Sequence, residues 1–260
     1  MRIDAFSRPT VHLTLFRDDL ELAIASGFLW KMDHRMMVFT CWHCLTGADP
    51  KTGQSLSKRT GARPNRANIR LLGRGPGHFV HSDQKLYDES GAAVWLVHPL
   101  GSGQVDLAAF ELSGGLSPES FNRPMNEIEQ DEIRIEIGSD LFAIGFPKNL
   151  SPTGLPIWKR ASVASELTAI THFGDDRVIL VDTATREGLS GAPVIARRYG
   201  TYIAENGNML TTAGSNTKFV GVYSGRLGGD DAMAAQVGRV WPASYVTELM
   251  QSGSRDKLTD

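Results

Sequence analysis

Apolar residues in this chain recur mainly at every second position. Val11, Leu13 and Leu15 alternate with His12 and Thr14, and Ile133, Ile135 and Ile137 alternate with Arg134 and Glu136. That is the period of a strand with one buried face. Further strands are expected over residues 22–30, 36–40, 69–72, 92–97, 106–112, 141–146, 158–165, 178–182, 192–196, 219–224 and 236–241, separated by turns rich in Gly, Pro and Asn. Only residues 242–252 read as a good helix, with Pro242 near the first turn and Tyr245, Val246, Leu249 and Met250 on one stripe. Many strands and one helix exclude a parallel α/β sheet and predict a β-barrel or sandwich. Residues 114–130 carry two prolines between strand-rich halves. The expected division is therefore into residues 1–126 and 127–260, two β units of similar size.

Composition narrows the class. A chain of 260 residues, 41% hydrophobic and 22% charged, buries a core without staples, and its 2 cysteines, Cys41 and Cys44, are too few for a disulfide framework. A formal net charge of -2 gives no global attraction for nucleic acid or an anionic membrane. Charge is uneven locally: residues 51–75 hold Lys51, Lys58, Arg59, Arg63, Arg66, Arg70 and Arg74 and no acidic residue. A solvated surface loop accounts for this, and a docking patch for an anionic partner is the alternative. Residues 1–10 include Asp4 and lack the apolar run of a secretory signal. The apolar stretch 22–30 stops at Lys31, well short of the ~20 residues that cross a bilayer. A cytoplasmic protein that contacts no membrane is the expectation.

The chemistry concentrates in Arg-Glu-Gly-Leu-Ser-Gly-Ala-Pro-Val at 186–194, which follows an apolar strand. Gly188 and Gly191 bracket Ser190 tightly, which suits a turn that presents a hydroxyl and leaves backbone N–H groups free for an anionic oxygen. Taken alone, a plain Gly-Ser turn explains it equally well. A serine oxygen becomes a nucleophile only beside an imidazole base, usually oriented by a carboxylate. His43, directly after the apolar strand 36–40, and Asp106, after a Gly-rich loop, are the candidates, in the chain order His, Asp, Ser.

These segments resemble the trypsin/chymotrypsin-like serine protease family, and in particular its simpler bacterial trypsin-like peptidases. Val38-Phe39-Thr40-Cys41-Trp42-His43-Cys44 is similar to the strand that enters Thr-Ala-Ala-His-Cys. Val105-Asp106-Leu107-Ala108 is similar to the Asp-Ile-Ala motif, and Gly188-Leu189-Ser190-Gly191-Ala192-Pro193 to Gly-Asp-Ser-Gly-Gly-Pro. Ala25-Ser26-Gly27-Phe28, Gly145-Phe146-Pro147 and Val220 through Gly225 add support, so that the matches span almost the whole chain. The resemblance implies an all-β fold of two six-stranded antiparallel Greek-key barrels with a short C-terminal helix. It implies a serine endopeptidase working through an acyl-enzyme, without metal or organic cofactor, on a protein or peptide substrate. Ser190 would be nucleophile, His43 general base and then acid, Asp106 the group that fixes the imidazole tautomer, and the N–H groups of Gly188 and Ser190 the oxyanion hole. Ser224 would support the carboxylate, and the strand Ser224, Gly225, Arg226 would pair with an extended substrate.

The departures carry information. No activation peptide is visible, and Leu189 replaces the aspartate that pairs with a new amino terminus in pancreatic-type enzymes. Zymogen cleavage is therefore not expected, and a regulatory partner is. Ala184 falls near the floor of the primary specificity pocket, where trypsin-type enzymes carry aspartate. A small or medium apolar residue before the scissile bond is the first expectation, acidic selectivity through Arg226 or Arg239 and basic selectivity through Asp230 and Asp231 being alternatives.

Two other function classes compete. Cys41-Trp42-His43-Cys44 is a C-x-x-C, but thiol redox chemistry of that type needs a long helix after the motif, and the following 45–64 is too rich in Gly, Pro and polar residues. Zinc on Cys41, His43 and Cys44 lacks a completing motif, as does the loose cluster His78, His81 and Asp83. His12, His34, His98 and His172 read as surface or hydrogen-bonded histidines, and Trp158 as strand packing. A catalytically silent binding module of the same fold is the remaining alternative.

Overall fold

The computed structural model describes all residues except 1–2, 58–59, 76, 168–177, 185–186, 227–235 and 259. Strand β1 (Thr10–Arg17) pairs antiparallel with β2 (Leu20–Met32), which pairs with β3 (Arg35–Thr40). Asp18 and Asp33 take positive φ in the two tight turns, a conformation that aspartate tolerates better than most residues. A short helix α1 (Trp42–Thr46) follows, then β4 (Arg66–Leu72), β5 (Phe79–Lys85), β6 (Leu96–Val97) and β7 (Ala108–Glu111). The second half holds β8 (Asp140–Gly145), β9 (Ile157–Val163), β10 (Ile179–Asp182), β11 (Pro193–Ile203), β12 (Met209–Arg226) and β13 (Val237–Pro242), followed by helix α2 (Ala243–Ser252) and β14 (Ser254–Arg255).

Two antiparallel sheets result, one in the order β14-β6-β7-β3-β2-β1-β4-β5 and one closed as the barrel β10-β13-β12-β11-β8-β9. The all-β architecture and the C-terminal helix agree with expectation, and the second sheet has the expected six strands. The first has eight, because Leu96–Val97 adds to β7 and Ser254–Arg255 adds to Leu96–Val97. Val11, Leu13 and Leu15 are fully buried, as their alternation predicts, and pack with Trp95, Leu45 and Phe110 inside the first sheet. Along β3 both faces are buried. Val38 faces the first core, while Met37 and Phe39 belong to a second cluster with Ile195, Phe219, Val222 and Trp241 from the barrel. Phe28 stacks on Phe39 at 5.3 Å and meets Phe219 at 5.4 Å, which packs the two sheets together.

Other expectations need correction. Residues 133–137 form no strand: Ile133 makes one isolated bridge to Ala204 and is buried, while Ile137 is exposed. Alternation alone cannot separate a strand from an extended segment that anchors one side chain. His81 and Asp83 lie on a strand, β5, and not in a loop; they hydrogen-bond to Asn68 and Arg66. Of the basic segment 51–75, Arg66 pairs with Asp83, and Arg70 lies over the Phe79 and Phe146 rings.

One carboxylate ties the C-terminal segment to two buried indoles. Asp256 Oδ2 accepts from the indole N–H of Trp42 at 2.5 Å and from that of Trp95 at 2.9 Å. Asp256→Ala leaves two buried donors unpaired, an expected loss of about 2–4 kcal/mol by denaturant titration, since each such group costs about 1–3 kcal/mol. A loss below about 0.5 kcal/mol would show that water satisfies both indoles.

Candidate active site

Register brings the first two site residues together. Thr40 at the end of β3 pairs with Ala108 at the start of β7, so that in the antiparallel ladder His43, just past Thr40, and Asp106, just ahead of Ala108, emerge at the same end. Cys41 is the extended N-cap of α1, and Gly47, at φ 62, ends the helix by donating its N–H to the His43 carbonyl at 2.9 Å. Asp106 is buried and accepts three hydrogen bonds. Oδ1 takes the backbone N–H of His43 at 2.9 Å, while Oδ2 takes the His43 Nδ1 proton at 2.6 Å and the Ser224 hydroxyl at 2.8 Å. That pattern fixes the proton on Nδ1 and leaves Nε2 as the acceptor.

Ser190 comes from the barrel, on the tight turn ahead of β11. Gly188 has φ 90 and Gly191 φ 84. A Cβ on Gly188 would collide with the Phe146 carbonyl, and one on Gly191 with the Ser26 carbonyl and Thr40. Glycine is required at both. Gly191 N–H donates to the Tyr223 carbonyl at 2.8 Å and Ala192 N–H to the Leu189 carbonyl at 2.9 Å, closing the turn. Among the described residues the N–H groups of Gly188 and Ser190 make no intramolecular hydrogen bond. A cleft of about 510 Å³ is lined by His43, Cys44, Gly188 and Ser190 together with Leu15, Ile24 and Leu56. No hydrogen bond joins Ser190 Oγ to His43 among the described residues, and such contacts often tighten only when substrate binds.

Ser26, on β2, holds the Ser190 turn against the first sheet. Its hydroxyl donates to the Gly188 carbonyl at 2.7 Å and accepts from Phe146 N–H at 2.9 Å; its own N–H donates to the Ser190 carbonyl at 2.9 Å. Thr40 Oγ1 in turn donates to the Ser26 carbonyl at 2.9 Å. Sequence reading assigned Ser26 no role, although the small polar pair Ser26-Gly27 within an apolar strand was the available signal. Ser26→Ala should lower stability by about 1–3 kcal/mol, the cost of unpaired buried groups. It should also slow acylation roughly tenfold by freeing the Gly188–Leu189 peptide, which adjoins the one that carries the Gly188 N–H, on the scale of oxyanion-donor losses. Denaturant titration with single-turnover acylation separates the two effects, and an unchanged acylation rate would remove Ser26 from the site.

The family model described as the trypsin-like peptidase domain matches residues 25–204. The chain belongs to the trypsin-like peptidases. It is a serine protease by family, and solved structures agree in fold. Rv3671c from M. tuberculosis H37Rv, in an inactive form, is 16% identical over 95% of this chain and 87% of that chain, with a TM-score of 0.50. The serine endoprotease from Yersinia pestis is 15% identical over 94% of this chain, with a TM-score of 0.52; this peptidase spans 62% of that chain. No curated protein matches the sequence.

The other expected residues lie on several elements of this peptidase. Ala184 is half-buried beside the buried Thr183. Ser224, Gly225 and Arg226 end β12, and a Cβ on Gly225 would lie 4.0 Å from Ser190 Oγ. Arg239 pairs in register with Gly225. Asp230, Asp231, Arg186 and His172 lie outside the described residues. His12 is buried on β1, where burial and then Arg70 pull it down to about 4, and His98 contacts Glu248 at 3.1 Å. Trp158 packs under Arg197 and donates to Ser7 at 2.9 Å.

Cys41, His43 and Cys44 form the one described group with donor atoms close enough together to hold a metal, all within 4.8 Å. The set has three donors, one short of a closed tetrahedral site, and the His43 ring is already bonded to Asp106. Burial pushes the Cys41 thiol up, whereas the hydrogen bond from Cys41 and the neighbouring imidazole draw Cys44 down. For His43, burial opposes the charged ring, but the Asp106 charge and hydrogen bond, with a contribution from Cys44, outweigh it and hold the pKa well above 6.5. Acting as a base, the ring would take a proton only when neutral, so acylation is expected to rise with pH through a midpoint above that value. A pH profile of single-turnover acylation tests this, and a midpoint at or below 6.5 would contradict it.

Proposed function

We propose that the peptidase hydrolyses peptide bonds through Ser190, His43 and Asp106. In this reading Ser190 Oγ attacks the scissile carbonyl as His43 Nε2 takes its proton, and the N–H groups of Gly188 and Ser190 receive the oxyanion. His43 then returns the proton to the leaving amine, and water repeats the sequence on the acyl-enzyme. Asp106 acts only as an acceptor, held by three donors. The observation that carries the reading is this triple hydrogen bond, which orients an imidazole into the cleft that Ser190 lines. An extended substrate would add to the end of β12 at Ser224, Gly225 and Arg226. Ala184 favours a small or medium apolar side chain before the cut. Leu189 is fully buried among apolar residues and offers no carboxylate to a new amino terminus, so regulation would act without zymogen cleavage, through a partner protein in the cytoplasm. The thiol-redox reading finds α1 only five residues long where it needs a long helix.

Incubation with a proteome-derived peptide library, followed by mass spectrometry of the new termini, tests activity and preference together. Cuts after Ala, Val or Leu that vanish in Ser190→Ala are expected. Equal cutting by the variant, or none by the wild type, would contradict the proposal and favour a silent binding module.

A further inference from the structure

Cys41 and Cys44 flank the proposed base in a geometry that serine chemistry does not explain. Cys41 is the N-cap of α1, and Cys44 N–H donates to the Cys41 carbonyl at 3.1 Å, closing a turn over Trp42 and His43. Such a turn brings the first and fourth Cα within about 7 Å, which overlaps the roughly 4.4–6.8 Å spanned by disulfides. The two Sγ atoms already lie within 4.8 Å of each other, and both thiols are free. The cysteines differ in access: Cys44 lines the cleft, whereas Cys41 is fully buried and directs its Sγ–H to the Tyr223 carbonyl at 3.4 Å. That carbonyl also receives Gly191 N–H from the nucleophile turn.

We propose that Cys41 and Cys44 are a redox modification site, closing to a disulfide that switches the peptidase off. Its co-reactant is a low-molecular-weight disulfide such as oxidised glutathione. Cys44, as thiolate, attacks one sulfur of it and one glutathione thiol leaves. Cys41, giving up its proton, then attacks Cys44 Sγ and expels the second. Two protein thiols are oxidised, one external disulfide is reduced to two thiols, and the two protons end on the departing sulfurs. Closing the sulfurs to about 2.05 Å turns the two side chains that flank His43 and takes the Cys41 thiol from its acceptor. The bonds exposed to that movement are the two from His43 to Asp106 and the one from Cys41 to Tyr223. A displacement of about 1 Å in a reacting group costs on the order of 10²-fold in rate. The pairing of the thiols stands on geometry alone, and the switching rests on the assignment of His43 as base.

The experiment equilibrates the full chain in defined ratios of oxidised to reduced glutathione, quenches it with an alkylating agent, and follows intact mass, peptide maps and fluorophosphonate labelling. The expected result is two alkylated thiols under reducing conditions and none under oxidising ones. The oxidised chain should be lighter by two hydrogens, with Cys41 linked to Cys44. Labelling should slow about 100-fold on oxidation and recover with dithiothreitol, the scale set by a misplaced base. Cys41→Ser should trap one glutathione on Cys44, whereas Cys44→Ser should take up none, because Cys41 does not reach the cleft. Two alkylatable thiols in the most oxidising mixture would overturn the pairing, and a formed disulfide with unchanged labelling would overturn the switch. No labelling in either state would instead overturn the assignment of the active site, with the pairing still decided by mass.

Discussion

Asp106→Asn is expected to lower kcat/KM by about 10⁴-fold while the fold survives, the scale of loss when a base is held in the wrong tautomer. Asp106 makes its three contacts solely as an acceptor, and an amide presents one acceptor oxygen and one donor nitrogen. With the oxygen toward His43 N–H, the NH₂ faces Nδ1 and forces the ring proton onto Nε2, where it blocks uptake of the serine proton. The same change removes the negative charge that holds His43 up, so the midpoint of the residual pH profile should shift to lower pH. Steady-state kinetics across pH, with circular dichroism to confirm folding, checks both. A loss below about tenfold would mean that Asp106 does not orient the base.

Gly188→Ala should cost about 10²–10³ in kcat/KM, the magnitude measured for removal of one oxyanion donor. Gly188 sits at φ 90, where a side chain is strained, and a Cβ would collide with the carbonyl of Phe146, whose N–H donates to the Ser26 hydroxyl that in turn bonds the Gly188 carbonyl. Relief requires the peptide to tilt, which turns its N–H from the cleft. Ser190 and His43 keep their places, so the defect should fall on kcat far more than on KM. Activity within about threefold of the wild type would place the oxyanion elsewhere.

The parts of the site that chemistry forces together were legible in the sequence. A nucleophilic serine needs a base and an orienting carboxylate, and His43 and Asp106 each stood at the end of an apolar strand, where alternation marks the boundary. The register between β3 and β7 realises that expectation. The role of Ser26 was not legible, because its work is a hydrogen bond to a residue 162 positions away; the local pair Ser26-Gly27 marks a departure from the apolar strand but not the partner. Strand β5 was hidden because its run from His81 to Lys85 is polar and largely exposed, stabilised by pairing with β4 rather than by a buried face. Of the two-residue strands added to the first sheet, β6 is the end of the expected strand 92–97, whereas β14 is too short for any periodicity and is held by pairing with β6, with Asp256 just past it bonded to two indoles.

The central claim is that Ser190 is an activated nucleophile, and covalent capture tests it most directly. The full chain, reduced, is incubated with a fluorophosphonate and followed by intact mass and peptide mapping, beside Ser190→Ala and His43→Ala. One adduct on Ser190, absent from the first variant and slowed at least about 10³-fold in the second, is the predicted result, in line with the loss of a general base acting with its serine. An adduct elsewhere, or labelling of Ser190 at the same rate without His43, would contradict it.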